Sequence, residues 1–429
     1  MNPSHVLVVG SGGREHALAW RLASDPHAPQ VHVAPGNDAM ARRFTRHAVA
    51  ETDVPAQVAL ARALGADLVV VGPESALAAG LADGLAEAGI AVFGASRAAA
   101  RLESSKWFAK EVMREAGVPT ARAEAFEDPA AALAALARFG PPWVVKADGL
   151  AAGKGVCVTR DEGGARAFVR ECLQGGRFGA GGRRVVLEEF LPGEEASVMA
   201  VCDGARFALL PAARDFKRAL DGDAGPNTGG MGSYAPTPWV DAAVGRIVGE
   251  RVVRPVLRVL AARGTPYRGA LYCGLMLGEA GARVVEFNAR FGDPETQSIL
   301  PLVDGAFGAL LAGAARGALD AGAVRAGAGA AVTVALADRG YPGALEGGAI
   351  EGLDALEDEP DLLVFHGATA REGGRWALRG GRAAYVTARG ADVEEARARA
   401  YGAVARLGGT GWRCRADVAR GAALPTKGR

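Results

Sequence analysis

Val284-Val285-Glu286-Phe287-Asn288-Ala289-Arg290-Phe291-Gly292-Asp293-Pro294-Glu295-Thr296-Gln297 is the stretch on which the reading of this chain turns. Its first half carries β-branched and aromatic residues at alternate positions, the pattern of a strand. Alternation sends Val285 and Phe287 to one side and Glu286 and Asn288 to the other. A carboxylate and an amide oxygen then stand side by side. These are hard oxygen ligands of the kind Mg²⁺ takes, with water and phosphate completing the shell. Gly292 and Pro294 break the strand into a charged turn. Arg290, two residues past the oxygen pair, can reach the same anion. Taken alone, a Glu-x-Asn is more often the solvated face of an edge strand, because so short a motif recurs by chance.

Composition limits what can surround this stretch. A chain of 429 residues has room for roughly two to four domains, and 49% hydrophobic content can fill sizeable cores. With 49 basic and 48 acidic residues the net charge is +1, so no basic field recommends nucleic acid or an anionic membrane as a partner. Phosphate binding must come from local sites. The cysteines (Cys157, Cys172, Cys202, Cys273 and Cys414) form no Cys-x-x-Cys pair, and their scatter suits reduced thiols in a cytoplasm. The chain enters a strand at once, without a basic–apolar–small signal pattern. No apolar run approaches the roughly 20 residues of a membrane helix.

Toward the N-terminus, His5-Val6-Leu7-Val8-Val9-Gly10 is a nearly continuous apolar strand, as in a parallel sheet covered on both faces. Gly10-Ser11-Gly12-Gly13-Arg14-Glu15 follows, then Ala17, Leu18, Ala19 and Leu22 mark a helix. Such a unit aims backbone N–H groups at an anion. It imitates a dinucleotide fingerprint, but Glu15 stands where a third glycine would ease helix–strand packing. The second strand, ending in Pro35-Gly36-Asn37, also lacks the carboxylate that would hold a ribose hydroxyl. Strands at 67–71 and 90–93 and a helix over about 77–88 complete an alternating β/α pattern, hence a doubly wound sheet with ligands at the strand C-terminal ends. Gly12, Gly13, Arg14, Glu15, Asn37, Pro73 and Glu74 all fall at such ends.

Between these two regions, a helix over 104–117 is capped by Ser104 or Ser105 and stopped by Gly117. Lys106 sits in its first turn, against the dipole, so it is either solvated or held by an anion. Trp143-Val144-Val145-Lys146-Ala147 is a strand, Asp148-Gly149-Leu150-Ala151-Ala152-Gly153-Lys154-Gly155 a small-residue loop, and Val156-Cys157-Val158 the return. No Gly-Lys-Ser/Thr opens a helix, so this is not a Walker A loop. It reads either as an ordinary hairpin or as a mobile lid over a triphosphate. Val185–Leu191 is a further strand, and Glu188, Glu189, Glu194 and Glu195 around its end equally suit an exposed surface. Residues 211–234, with Asp215, Lys217, Arg218, Thr228 and Gly229, look least regular and are a substrate-loop candidate. After Gly327-Ala328-Gly329 the pattern restarts as a small α+β unit. It ends in a helix opened by Asp392 and Glu395; no chemistry is visible in it, although it can wall one side of the site.

The run Arg290-Phe291-Gly292-Asp293-Pro294-Glu295-Thr296-Gln297 resembles the signature of the phosphoribosylamine–glycine ligase family of ATP-grasp enzymes. Gly12-Gly13-Arg14-Glu15-His16-Ala17, Ala34-Pro35-Gly36-Asn37 and Lys146-Ala147-Asp148-Gly149-Leu150-Ala151-Ala152-Gly153-Lys154-Gly155 match its patterns in order, so the resemblance covers almost the whole chain. It implies an α/β and α+β multidomain fold. Residues 1–103 form an N-terminal doubly wound parallel sheet and 104–122 with 195–328 the main ATP-grasp domain. Residues 123–194 form its lid domain and 329–429 a small C-terminal domain. The implied activity joins glycine to 5-phosphoribosylamine with ATP as co-substrate, in a cytoplasmic monomer. Mg²⁺ or Mn²⁺ would sit on Glu286 and Asn288. ATP would meet Lys106, Lys146, Gly153, Lys154, Glu188, Glu189, Leu191 and Glu195, with Glu195 at the ribose. Arg290, Lys146, Asp215 and Lys217 are the expected catalytic residues, with Asp215 on the glycine ammonium. The glycine loop, Asn37, Pro73, Glu74, Asp215, Thr228, Gly229 and Arg290 would bind substrate. The family usually has histidine where this chain has Phe216, which leaves no imidazole at that position. Rival readings are another ATP-grasp ligase or carboxylase, a nicotinamide-dependent oxidoreductase, and a non-catalytic nucleotide sensor.

Overall fold

The computed structural model describes residues 2–150 and 155–422, so Gly153 and Lys154 of the expected lid lie outside the described residues. The first apolar run is the middle strand of a five-stranded parallel sheet. Its order is Thr45–Arg46, Gln30–Pro35, His5–Gly10, Leu68–Val71, Val92–Phe93. Leu7 and Val9 enter one core and Val6 and Val8 another, which is why polar residues do not alternate here. Strand order reverses at His5–Gly10, and the glycine loop opens there at the strand C-terminal ends. The expected helix over 77–88 is two pieces, Glu74–Ala79 and Leu81–Glu87. Gly80 between them has a φ of 90°, which stops the first helix.

A second, antiparallel sheet has the order Ala123–Phe126, Val185–Glu189, Trp143–Ala147, Val156–Thr159 and its own core around Val145, Phe168 and Leu187. A third has the order Phe207–Leu209, Glu194–Asp203, Arg268–Gly278, Gly281–Asn288, so the oxygen-bearing strand is its edge. The helix Lys106–Glu115 packs beside it. Ser105 caps that helix, its Oγ accepting from the Phe108 N–H at 3.1 Å.

Alternation along the edge strand is not regular. Val284 and Phe287 are the buried residues, whereas the expectation put Val285 on the Phe287 side. Gly274 pairs with Glu286 and Leu275 with Val284, which makes Val285 the extra residue of a bulge. Glu286 and Asn288 still lie on the face opposite Phe287.

The last sheet orders Arg214–Asp215, Gly232–Ala235, Ala330–Asp338, Arg382–Gly390 and Leu362–His366, with Trp412–Arg413 on Ala330–Asp338. Two of its strands come from the middle of the chain. Helix Val393–Val404 covers it; Asp392 accepts from the Glu395 N–H at 2.9 Å and Glu395 from the Ala391 N–H at 2.6 Å. Among the described residues no helix is long and apolar enough to cross a membrane.

Candidate active site

Glu286 faces the first turn of helix Lys106–Glu115, where Lys106 Nζ donates to its Oε2 at 2.8 Å. This anion explains a lysine at a helix start. Burial alone would raise the Glu286 pKa, but Lys106, Lys217 and Lys146 outweigh it and hold the carboxyl well below the usual carboxylate range. The Asn288 amide is oriented by its neighbours. Its nitrogen faces the Phe287 carbonyl and Glu103 Oε1, both at 3.2 Å, because those atoms only accept; this turns the amide oxygen the other way. An ionised carboxylate and an amide oxygen fit a hard divalent cation that keeps water and phosphate ligands. Among the described residues no group of three or more His, Cys, Asp or Glu side chains joins into a fuller metal cage.

Lys146 is buried in the second sheet. Its Nζ donates to the carbonyl of the bulge residue Val285 at 3.1 Å and pairs with Glu188 Oε2 at 3.1 Å. Glu188 was expected to meet ATP. The residue is only 2% exposed, and the same Oε2 also holds Lys110 Nζ at 3.0 Å. Oε2 thus serves two lysines, while Oε1 is buried without a hydrogen-bond partner among the described residues. Glu189 pairs with Arg283, which also donates to the Thr120 carbonyl at 2.8 Å, and Leu191 is buried. Glu195 meets Lys217 Nζ at 2.9 Å, which joins the ribose candidate to the substrate-loop lysine.

Arg290 is the hub between the third sheet and the N-terminal unit. Its Nε lies 3.1 Å from Glu74 Oε2, its NH2 3.1 Å from Glu103 Oε1, and its NH1 donates to the Phe291 carbonyl at 3.0 Å. Burial would raise Glu74, but Arg290 and Arg14 lower it to about 2. In the glycine loop, Glu15 does not crowd the packing as its size suggests. The Gly12 N–H donates to its Oε2 at 2.7 Å, and a Cβ at Gly10 or Gly72 would overlap it, so missing side chains make its room. Glu15 is thus buried and braces the loop. It also binds Arg14 Nε at 2.5 Å, while Arg14 NH1 donates to the Phe291 carbonyl at 3.2 Å. Asn37 is held within the protein as well. Its Nδ2 donates to the carbonyls of Ser11 and His366 at 2.8 and 3.0 Å, and its Oδ1 accepts from the Met40 N–H, so its amide protons tether the loop. Gly13 opens the helix Gly13–Ala23 directly against Tyr385 and Gln297.

Asp215 and Lys217 flank the third and fourth sheets. Asp215 Oδ1 is buried without a hydrogen-bond partner among the described residues. Burial and then Glu295 push its pKa well above the usual range, against Lys217 and Arg382. Such an oxygen suits a cationic donor. The hydroxyl of Thr228 donates to the Lys217 carbonyl at 2.8 Å and accepts from the Gly230 N–H at 3.0 Å, folding the Thr228–Gly229 turn over this pair. Phe216 points away, against Tyr234 and Arg415, so position 216 faces the C-terminal core.

The C-terminal unit, in which the sequence showed no chemistry but a possible wall of the site, reaches this site. Arg382 NH1 donates to the carbonyls of Gly229, Gly230 and Asp293 at 2.8, 3.3 and 2.9 Å and lies 3.2 Å from Asp293 Oδ1. Asp293 lay inside the quoted stretch without a role. Its only sequence signal was its place in that charged turn; Arg382 had none, since its partners lie far away in the chain.

Comparison with known proteins follows the same segments. Residues 4–103, 104–296 and 331–421 match the phosphoribosylglycinamide synthetase N domain, ATP-grasp (A) domain and C domain. A phosphoribosylamine–glycine ligase of Streptomyces coelicolor is 52% identical over 97% of this chain and 99% of its own length. One of Caulobacter vibrioides is 50% identical over 96% and 97%. The crystal structure of the phosphoribosylamine–glycine ligase of Thermotoga maritima superposes with a TM-score of 0.84 at 35% identity, covering 96% of this chain and all of that one. A biotin carboxylase domain from Hydrogenobacter thermophilus, solved with MgADP, shares the fold at a TM-score of 0.73 and 17% identity. The oxygen-bearing strand, the lysines around it and the braced glycine loop all lie within the matched segments, and the chain belongs to the phosphoribosylglycinamide synthetase family, the phosphoribosylamine–glycine ligases.

Proposed function

We infer that this protein is an ATP-dependent ligase that joins glycine to 5-phosphoribosylamine through glycyl phosphate, giving glycinamide ribonucleotide, ADP and phosphate. The observation that carries this is the gathering of Lys106, Lys146 and Lys217 around an ionised Glu286. A carboxylate is a poor electrophile. A glycine oxygen attacks the γ-phosphorus, an O–P bond forms, and the bridge to ADP breaks with its electron pair on ADP. The ribosylamine nitrogen then attacks the carbonyl carbon, the C–O bond to phosphate breaks, and the nitrogen gives up a proton to solvent. Charge gathers on phosphoryl oxygens, so placed cations carry most of the acceleration.

Lys106, Lys146 and Arg290 are the cations we assign to that charge, with Lys217 beside them. Asp215 takes the glycine ammonium, a role its unpartnered buried oxygen supports. Mg²⁺ or Mn²⁺ on Glu286 and Asn288 supplies further neutralisation of the phosphates when bound. The N-terminus of helix Gly13–Ala23, with Arg14, takes the 5-phosphate of the ribosylamine. Pro73 and Glu74 border that site, and Thr228 and Gly229 the glycine. Glu189, Leu191 and Glu195 line the nucleoside, and we assign Gly153 and Lys154, outside the described residues, to the triphosphate as well. We divide the chain into an N-terminal unit at 1–103, a main unit at 104–122 and 195–328, a lid at 123–194 and a C-terminal unit at 329–429. Free thiols at all five cysteines support a cytoplasmic setting.

The test is phosphate release with ATP, each amino acid in turn, and freshly made phosphoribosylamine. Release should require glycine and the ribosylamine together. Equal release with another amino acid, or full release without the amine, overturns the assignment.

A further inference from the structure

Helix Lys106–Glu115 presents two lysines one turn apart to two different sheets. Lys106 reaches Glu286 on the edge strand, and Lys110 reaches Glu188 on the strand beside Lys146. Lys110 is only 4% exposed. Its three ammonium protons have three acceptors: Glu188 Oε2 at 3.0 Å, Thr120 Oγ1 at 2.9 Å and the Ala121 carbonyl at 3.3 Å. None is left for a reactant. Thr120 in turn donates to the Val284 carbonyl at 2.6 Å, beside the bulge whose carbonyl holds Lys146.

The charges explain why such a lysine is buried here. Lys146 and Glu188 alone make a neutral pair, and a paired ammonium offers little field to a polyphosphate. With Lys110 on the same carboxylate oxygen, the trio carries one net positive charge. We propose that Lys110 is a positioning residue that offsets Glu188 and so leaves the charge of Lys146 for the ATP phosphates. This rests on the reading that Lys146 meets those phosphates. Burial lowers the Lys110 pKa to about 8, against the pull of Glu188, so it is mostly charged at neutral pH.

Steady-state kinetics of the full chain, with ATP varied at saturating glycine and ribosylamine, test this. Lys110→Met should raise KM for ATP about tenfold, or 1.4 kcal/mol, and leave KM for glycine and ribosylamine near wild type. Lys110→Gln keeps hydrogen bonding and the fold while removing the charge, and should show the same shift. Lys110→Arg should stay near wild type. The double variant Lys110→Met/Glu188→Gln restores one net positive charge and should recover most of the lost ATP affinity, which a purely structural role does not predict. Lys146→Met is the control. If it cripples ATP use while Lys110→Gln matches wild type, or if the double variant is no better than Lys110→Met, the proposal fails alone. Wild-type ATP kinetics in Lys146→Met overturn the underlying reading and the proposal with it.

Discussion

Arg382→Met removes a guanidinium that the C-terminal unit sends into the site. That group donates to three carbonyls and faces Asp293 Oδ1 at 3.2 Å, and the two side chains are 17% and 15% exposed. Loss of one charge-assisted contact of this kind costs about 1.5–3 kcal/mol. The upper end is the better guide here, because Asp293 loses its strongest counter-charge; burial opposes its ionisation, and Arg382 leads the groups that keep its pKa low. At 1.4 kcal/mol per decade, kcat/KM for glycine and for ribosylamine should fall roughly ten- to a hundred-fold. ATP KM should move less, since Lys106, Lys146 and Glu286 do not touch this arginine. A double-mutant cycle with Asp293→Asn isolates the pair: Asn needs no counter-charge, so the second substitution should cost less in the Arg382→Met background than alone. Arg382→Met within twofold of wild type for both substrates, or strict additivity in the cycle, would refute the claim that the C-terminal unit shapes the site.

Glu286→Gln should abolish most ATP turnover while retaining the fold, because it removes the ionised oxygen facing Lys106 and Asn288; wild-type turnover at limiting Mg²⁺ would remove the metal from this strand. Gly72→Ala places a Cβ against the Glu15 carboxylate and should destabilise by about 1–3 kcal/mol, with a raised KM for ribosylamine, checked by chemical denaturation and kinetics. Burial, then His366 and Arg43, lower His16 to about 3 from its ordinary 6.5. The unfolded chain therefore binds the extra proton first, and stability should fall as pH drops from about 6.5 toward 3. The limiting slope is about 1.4 kcal/mol per pH unit from this group. His16→Asn should flatten the melting temperature over that range.

Elements whose instructions are local were legible. The run His5–Gly10 announced a strand covered on both faces, and Asp392 with Glu395 announced a helix start. The Glu286–Asn288 pair could be read as two oxygens on one face because a strand has period two. What could not be read depends on partners distant in the chain. The bulge at Val285 is visible only once Gly274 and Leu275 are paired opposite it. Glu15 looked too large for its place because the room is made by Gly72, far along the chain. Arg382 and Lys110 carried no motif; each acts through a contact that only the assembled sheets create. The contacts that Asn37 and one oxygen of Glu188 make within the protein were equally hidden, because their partners are distant in the chain.

The sheet that mixes mid-chain and late strands bears on how the protein is made. Gly232–Ala235 pairs on one side with Arg214–Asp215 and on the other with Ala330–Asp338, which emerges from the ribosome about a hundred residues later. Until then one edge of that strand has no neighbour, although the parallel N-terminal sheet is already complete. A growing chain is thus exposed to unwanted strand addition during a defined window of synthesis, which closes only when residue 390 clears the exit tunnel, because Ala330–Asp338 itself needs Arg382–Gly390 on its far edge. Fragments ending between Ala235 and Arg382 should therefore be sticky, whereas those that also retain Arg382–Gly390 should not. A gene split for expression as two polypeptides is best cut outside that interval.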